Sequence, residues 1–196
     1  MQERKAEISR VTGETNVHIS LDLDGTGKAQ IHTGIGFFDH MLNSFARHGL
    51  FDLTVDVQGD LEVDSHHTIE DTGIVLGQAI RQAVGDKKGI RRFGDCMLPM
   101  DETLMLCALD LSGRPYLKFY MPLTVPKVGD FDTEMVHEFF YAVSYGAEMN
   151  LHLKMLDGEN NHHIIEAAFK AFAKALDQAT VIDPRITDIL STKGSL

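Results

Sequence analysis

Two stretches of this chain carry the same order of unusual residues, and that duplication constrains the fold more than any other feature. "FFDHMLNSFARHGLFDLTVDVQGDLEVDSHHTIEDTGIVLGQAI" begins at Phe37 and "EMVHEFFYAVSYGAEMNLHLKMLDGENNHHIIEAAFKAFAKAL" at Glu134. Each has a single early histidine (His40, His137), then a helix-period stretch with a glycine near its end (Gly49, Gly146). A period-2 strand follows ("LTVDV", "NLHLKM"), then a turn, then HHxxE opening a second helix. The gaps from His40 to His66 and from His137 to His162 differ by a single residue. A matched order of elements and ligand-type residues over about forty positions is an internal repeat. The chain must therefore fold as two copies of one plan.

Periodicity supplies the plan. "ISRVTGETNVHISLDLDG" alternates and reads as strands, Gly25 and Gly27 mark a turn, and "KAQIHT" is a further strand. Gly34 and Gly36 break the chain before a helix from Phe37 to His48. "TLMLCALDLSG" and "RPYLKFYMPLT" read as strands joined by a turn at Ser112-Gly113. Helices from His137 to Met149 and from Asn161 to Ala179 complete the second copy. A sheet on one side with helices on the other buries both apolar faces economically. The expectation is a duplicated α+β fold: 1–92 as the first half, 93–185 as the second, and 186–196 as a short C-terminal tail.

Bulk composition narrows the function. The chain has 196 residues, 43% of them hydrophobic, enough for a core of its own. Its formal charge of −11 disfavours nucleic acid and anionic membranes as partners, so an anionic substrate needs a local basic cluster. Met1 to Arg10 is charged, with no apolar run, and nothing approaches a bilayer-spanning length, which points to the cytoplasm. Cys96 and Cys107 lack CxxC spacing and read as free thiols in a reducing compartment.

The repeated HHxxE carries the chemistry. On a helix, i and i+4 share a face with Cβ atoms roughly 5–6 Å apart. His66 with Glu70, and His162 with Glu166, can therefore each hold one metal. Neighbouring positions diverge by about 100°, given ~3.6 residues per turn. His67 and His163 then point away from their neighbours' metal, so each helix serves two metals. If two such helices face each other, each site takes a His/Glu pair from one and the odd histidine from the other, with His40 and His137 as fourth ligands. Asp64/Ser65 and Asn160/Asn161 are suitable N-caps. The positive helix end disfavours imidazolium and should keep these histidines neutral. Nitrogen and carboxylate donors without thiolate suit Mn²⁺, Fe²⁺ or Zn²⁺. A site with open positions for substrate tilts the choice to Mn²⁺.

A single HHxxE would read as a polar helix face, and a lone His40 or His137 as a hydrogen-bonded histidine; the repeat promotes them. His18, His32 and His152 read as solvated strand positions, and His48 as a helix-end residue or a substrate contact. Two rival classes stay open: a hydrolase with two metals about 3.5–4 Å apart, and a non-catalytic metal-binding protein of the ferritin-like kind.

"GIGFFDHMLNSFARHG", "DSHHTIEDTG", "KGIRRFG", "PMDETL", "DLSGRPYL" and "ENNHHIIEAAFKAF" closely resemble the imidazoleglycerol-phosphate dehydratase family, and "STKGSL" resembles its C-terminal segment. Ser65 stands where the family often has Asp. Some members carry an added phosphatase domain; this chain resembles the single-function form. The resemblance implies a hydro-lyase of histidine biosynthesis that converts imidazole glycerol phosphate to imidazole acetol phosphate. It implies two Mn²⁺ per active site and a homo-oligomeric 24-subunit shell with active sites between subunits. The implied ligand sets are His40, His67, His162 and Glu166 for one metal, and His66, Glu70, His137 and His163 for the other.

That reaction gives the metals a purpose. The proton lost sits on an unactivated carbon; a ring held as imidazolate by both nitrogens is electron-rich enough to expel the C3 hydroxyl. A carboxylate must protonate the leaving group or take the C2 proton. By resemblance this is Glu14 in "RVTGETN", which by itself reads as an exposed carboxylate in a strand. The resemblance gives the phosphate to Arg92, Arg114, Lys170 and Lys193, with His48 and Thr192 hydrogen bonding. Bidentate Arg suits phosphate oxygens. A glycine after Lys193 fits a loop that closes over an anion.

Overall fold

The computed structural model describes residues 3–196. The elements follow in the order β1 (Lys5–Val11), β2 (Thr15–Asp22), β3 (Ala29–His32), α1 (Gly36–Gly49), β4 (Asp52–Gly59), α2 (His66–Val84), β5 (Phe93–Met100), β6 (Thr103–Asp110), β7 (Tyr116–Tyr120), β8 (Lys127–Val128), β9 (Phe131–Asp132), α3 (Met135–Gly146), β10 (Asn150–Asp157) and α4 (Asn161–Thr180). Two four-stranded sheets form, with orders β1-β2-β4-β3 and β5-β6-β10-β7. In both, the first three strands are antiparallel and the last joins in parallel. Each parallel pair is reached through a helix, α1 or α3, as a parallel crossover requires. The fold is α+β with two similar halves.

Alternation explains which face each sheet buries. Val17, Ile19 and Leu21 of β2 point into the core, as do Met105, Cys107 and Leu109 of β6. The second helix of each half lies on its own sheet: α2 against β1 and β2, α4 against β5 and β6. The first helices cross over, so that α1 packs on α4 and α3 on α2. Aromatic rings fill one crossing, where Phe45 of α1 stacks on Phe172 of α4 at 5.3 Å; beside it Phe139 of α3 stacks on Phe169 of α4 at 5.0 Å. Glycines make the other. A Cβ on Gly77 would lie 2.6 Å from the Val143 carbonyl oxygen, and one on Gly146 would lie 2.7 Å from that of Ile74. This crossing between halves decides which ligands can meet.

Several expectations need correction. β5 alternates in burial, but its sequence does not show it, because the exposed face carries apolar Phe93 and Met97 beside Asp95 and Pro99; Pro99 is tolerated because β5 is a sheet edge. The turn at Ser112-Gly113 does not pair the strands it joins, since β7 lies beside β10. α3 begins at Met135 and stops at Gly146, short of Met149, where Glu148 takes the left-handed φ of 51°. Glu14 sits in the bend between β1 and β2, outside either strand. The tail is tied down by bridges from Lys88 to Ile189 and from Ile90 to Ile182. No helix among the described residues is long and apolar enough to cross a membrane.

Candidate functional site

The start of α4 is built by its cap. The Asn160 side chain accepts the backbone N–H of His162 at 2.9 Å and of His163 at 3.4 Å, which fixes the first turn and both imidazoles. Because α1 crosses here, His40 meets the i, i+4 pair. Donor atoms of His40, His162 and Glu166 all lie within 4.8 Å of one another. Nε2 of His162 is 3.2 Å, and Nε2 of His40 3.5 Å, from the same oxygen, Glu166 Oε2. The other oxygen, Oε1, is held by Lys170 Nζ at 2.7 Å. Burial raises the pKa of Glu166, but the Lys170 hydrogen bond and charge outweigh it, and the net shift is downward. Phe37 meets the His162 ring edge-on at 5.1 Å and limits its rotation. Two imidazole nitrogens and one ionised oxygen around a common point fit a borderline divalent cation.

The counterpart at the other crossing is less closed. His66 Nε2 and Glu70 Oε2 are 3.9 Å apart on α2. His137 lies near the start of α3 as His40 lies near that of α1, but its Nδ1 turns to Glu138 at 2.9 Å and its ring packs on Phe119 at 5.3 Å. Among the described residues, no third donor joins His66 and Glu70 in a cluster. The N-cap differs too: Ser65 makes no side-chain cap bond, and Asp64 accepts the His66 amide at 2.7 Å instead.

The odd histidines point elsewhere, as their ~100° offset requires. His67 Nδ1 bonds Asp60 at 3.0 and 3.1 Å, and Nε2 lies 3.7 Å from Glu14. His163 Nδ1 bonds Glu102 at 2.8 Å. The two HHxxE helices do not face each other within the chain; each packs on a different first helix. Neutral histidines were the expectation from the helix dipole. Working against the helix end, the hydrogen bonds that His67 and His163 make to Asp60 and Glu102 raise the pKa of both imidazoles. The same bond pulls Glu102 down to about 2. Asp60 and Glu102 were missed by sequence reasoning, although "ET" recurs at Glu14-Thr15 and Glu102-Thr103.

The cations separate into two groups. Arg92, Arg114, Arg185, Thr192 and Lys193 line a cavity of about 670 Å³ beneath the tail. Arg92 grips Asp110 through Nε and Nη2 at 2.6 and 3.0 Å and donates to the Leu190 carbonyl at 2.8 Å. Lys170 and His48 are outside this group. Lys170 is on Glu166, and the His48 pKa is lowered by burial and by Lys170 and Lys174.

Comparison with known proteins is specific. The chain matches the sequence model of imidazoleglycerol-phosphate dehydratase over residues 33–176. It is 67% identical to the imidazoleglycerol-phosphate dehydratase of Lachnoclostridium phytofermentans, covering 98% of each chain. It is 61% identical to that of Acetivibrio thermocellus, over 99% of this chain and 100% of the relative. Among solved structures, the Staphylococcus aureus imidazoleglycerol-phosphate dehydratase superposes with a TM-score of 0.83 at 42% identity, covering 91% of this chain and 99% of that one. IGPD of Pyrococcus furiosus, solved with (S)-C348, gives a TM-score of 0.84 at 35% identity, over 96% and 100%.

Proposed function

From its membership of the imidazoleglycerol-phosphate dehydratase family, we infer that this chain is a hydro-lyase of histidine biosynthesis, acting on imidazole glycerol phosphate. The substrate loses its C3 hydroxyl and its C2 proton as water, and the resulting enol becomes imidazole acetol phosphate. The observation that carries the reading is the cluster of His40, His162 and Glu166 at a capped helix start, in a chain matched end to end by relatives of that name.

The cluster fits Mn²⁺, with His67 completing it, and His66, Glu70, His137 and His163 form the second set. When bound, the two ions supply Lewis-acid polarisation of the imidazole ring. This chain's own residues do the rest. Lys170 neutralises one Glu166 oxygen and leaves the other to the cluster. A Glu166 so engaged is not free to bridge two metals, which weighs against the hydrolase reading. Glu14, exposed and 3.7 Å from His67 Nε2, moves the proton at C2 or at the leaving oxygen. Arg92, Arg114, Thr192 and Lys193 offer donors to the phosphate, and the tail lines their cavity. Lys170 and His48 approach from the metal side.

His67 lies on α2, away from the α1–α4 crossing, so the reading has it donated by another copy of the chain. A homo-oligomer with sites between subunits, of 24 copies by resemblance, follows from the same division of ligands. The halves are taken as 1–92 and 93–185, with 186–196 as the closing tail.

The test is turnover of imidazole glycerol phosphate by chelator-stripped protein, with and without added Mn²⁺, alongside metal stoichiometry. Activity that returns with about two Mn²⁺ per chain is expected for the di-metal scheme. Full turnover by metal-free protein would sink it.

A further inference from the structure

Glu102 occupies, in the second half, the place that Glu14 occupies in the first. Each lies in the connection between the first two strands of its sheet, and the two sheets share one topology. Each immediately precedes a buried threonine that opens the next strand, Thr15 in β2 and Thr103 in β6. Each lies beside the odd histidine of its own half, His67 or His163.

The two carboxylates are used differently. Glu14 faces the Nε2 side of His67 from 3.7 Å, and its side chain is 57% exposed. Glu102 accepts His163 Nδ1 at 2.8 Å through Oε2. Its Oε1 accepts the backbone N–H of Asn160 at 2.8 Å and of Glu159 at 3.4 Å. Both oxygens are thus engaged, one by the imidazole and one by the loop that carries the α4 cap. In the first half Asp60, the residue after Gly59, holds Nδ1 of His67. The residue after Gly158 is Glu159, and there only its amide is used, by Glu102. The orienting task has moved from the loop before the helix to the hairpin turn.

We propose that Glu102 is a positioning residue of the metal site: its carboxylate fixes the Nδ1–H tautomer of His163, leaving Nε2 as the ligand, and sets the loop that places the Asn160 cap. A carboxylate on the distal nitrogen of a metal-binding histidine orients the ring and strengthens it as a donor. The same engagement withdraws Glu102 from proton transfer, whereas Glu14 keeps that role because Asp60 does the orienting in its half.

This rests on the dehydratase reading for the metal but not for the tautomer, which separates the two failures. The probes are Mn²⁺ affinity, kcat against pH at saturating Mn²⁺, and the ¹⁵N spectrum of His163 in metal-free protein. They are measured on the full-length assembly for the wild type, Glu102→Ala, Glu102→Gln and Glu102→Asp. Glu102→Ala is expected to weaken one class of Mn²⁺ site by about 10–100-fold. It should shift His163 toward the Nε2–H tautomer and leave the shape of the kcat–pH profile intact. Glu102→Gln, which retains an acceptor, should fall between, and it serves if the alanine variant does not fold. A lost limb of the pH profile with unchanged Mn²⁺ affinity would make Glu102 an acid or base and overturn the proposal. An unchanged His163 tautomer, or equal weakening of both site classes, would overturn it as well. If the wild type shows no Mn²⁺-dependent turnover, the dehydratase reading fails, while the tautomer still decides the Glu102–His163 link.

Discussion

The α1–α4 and α2–α3 crossings are built to one plan and finished differently. At the first, His40, His162 and Glu166 converge, Lys170 anchors the glutamate, and aromatic rings fill the interface. At the second, position 74, where Lys170 would repeat, is Ile, His137 turns to Glu138, and glycines bring the helix backbones together. Duplication supplies the strand order and the placing of ligand-type residues. Single side chains then decide which crossing closes unaided and which carboxylate is free. Each crossing joins helices from opposite halves, so the cluster of His40, His162 and Glu166 draws on both.

The hairpin carboxylates give the sharpest way to break the comparison. Glu14→Gln should lower kcat by about 10²–10⁴-fold, the range for losing a general acid or base, with Mn²⁺ content unchanged. Glu102→Gln should do the reverse and act on Mn²⁺ affinity. If both variants lower kcat at full metal loading, the halves are functionally equivalent and the distinction drawn from their hydrogen bonds is wrong.

The ligand carboxylates come next. Glu166→Gln should reduce Mn²⁺ affinity by at least the roughly 100-fold upper range of outer-shell changes, and turnover with it. It also leaves Lys170 without the negative charge of its 2.7 Å partner. Glu70→Gln, at the open crossing, should weaken metal binding less, because no cation is stranded. Equal losses, measured by metal titration of stripped protein, would show that Lys170 does not distinguish the crossings.

How much of this could be read from the chain depends on range along the sequence. The helices are periodic, and HHxxE places two donors per face by local geometry alone, so His66/Glu70 and His162/Glu166 are legible. The repeat then singles out His40 and His137 and makes the α+β duplication legible; the fold brings His40 to Glu166, while His137 turns to Glu138. Contacts made through tertiary crossing were not. Nothing local says that α1 meets α4, so the convergence of His40 on Glu166 needed the fold. Asp60 and Glu102 act on imidazoles 7 and 61 residues away. β5 is hidden because its exposed face carries Phe93 and Met97, so a strand that alternates in burial does not alternate in polarity. The division of the cations, with Lys170 on Glu166 and Arg92 under the tail, was equally beyond a one-dimensional reading.

The glycine-lined crossing offers a smaller test. Gly77→Ala gains roughly 1 kcal/mol of helix propensity. Against this, its Cβ meets the Val143 carbonyl at 2.6 Å and the Ala147 nitrogen at 2.8 Å, both backbone atoms that cannot rotate aside. Overpacking of this kind costs about 1–3 kcal/mol, so a net loss is expected in the denaturant midpoint. A stabilised Gly77→Ala would mean that the helices can separate, and that close approach is not what fixes α2 against α3.

The smallest expected effect concerns the two cation groups. Deleting Thr192 to Leu196 removes Thr192 and Lys193 from the cavity but leaves the Arg92 bonds to Asp110 and Leu190 in place. One charge-assisted contact contributes about 1.5–3 kcal/mol, and a solvent-exposed lysine should fall at the low end. KM should therefore rise about tenfold, or ~1.4 kcal/mol, while metal content and thermal midpoint hold. Lys170→Ala is the contrast: because Lys170 touches Glu166, it should move KM and Mn²⁺ affinity together. Loss of metal on truncating the tail would join the two groups into one site within a single chain. Independent behaviour instead requires the phosphate end and the metal end of a site to be drawn from different places on the protein, as expected where subunits meet.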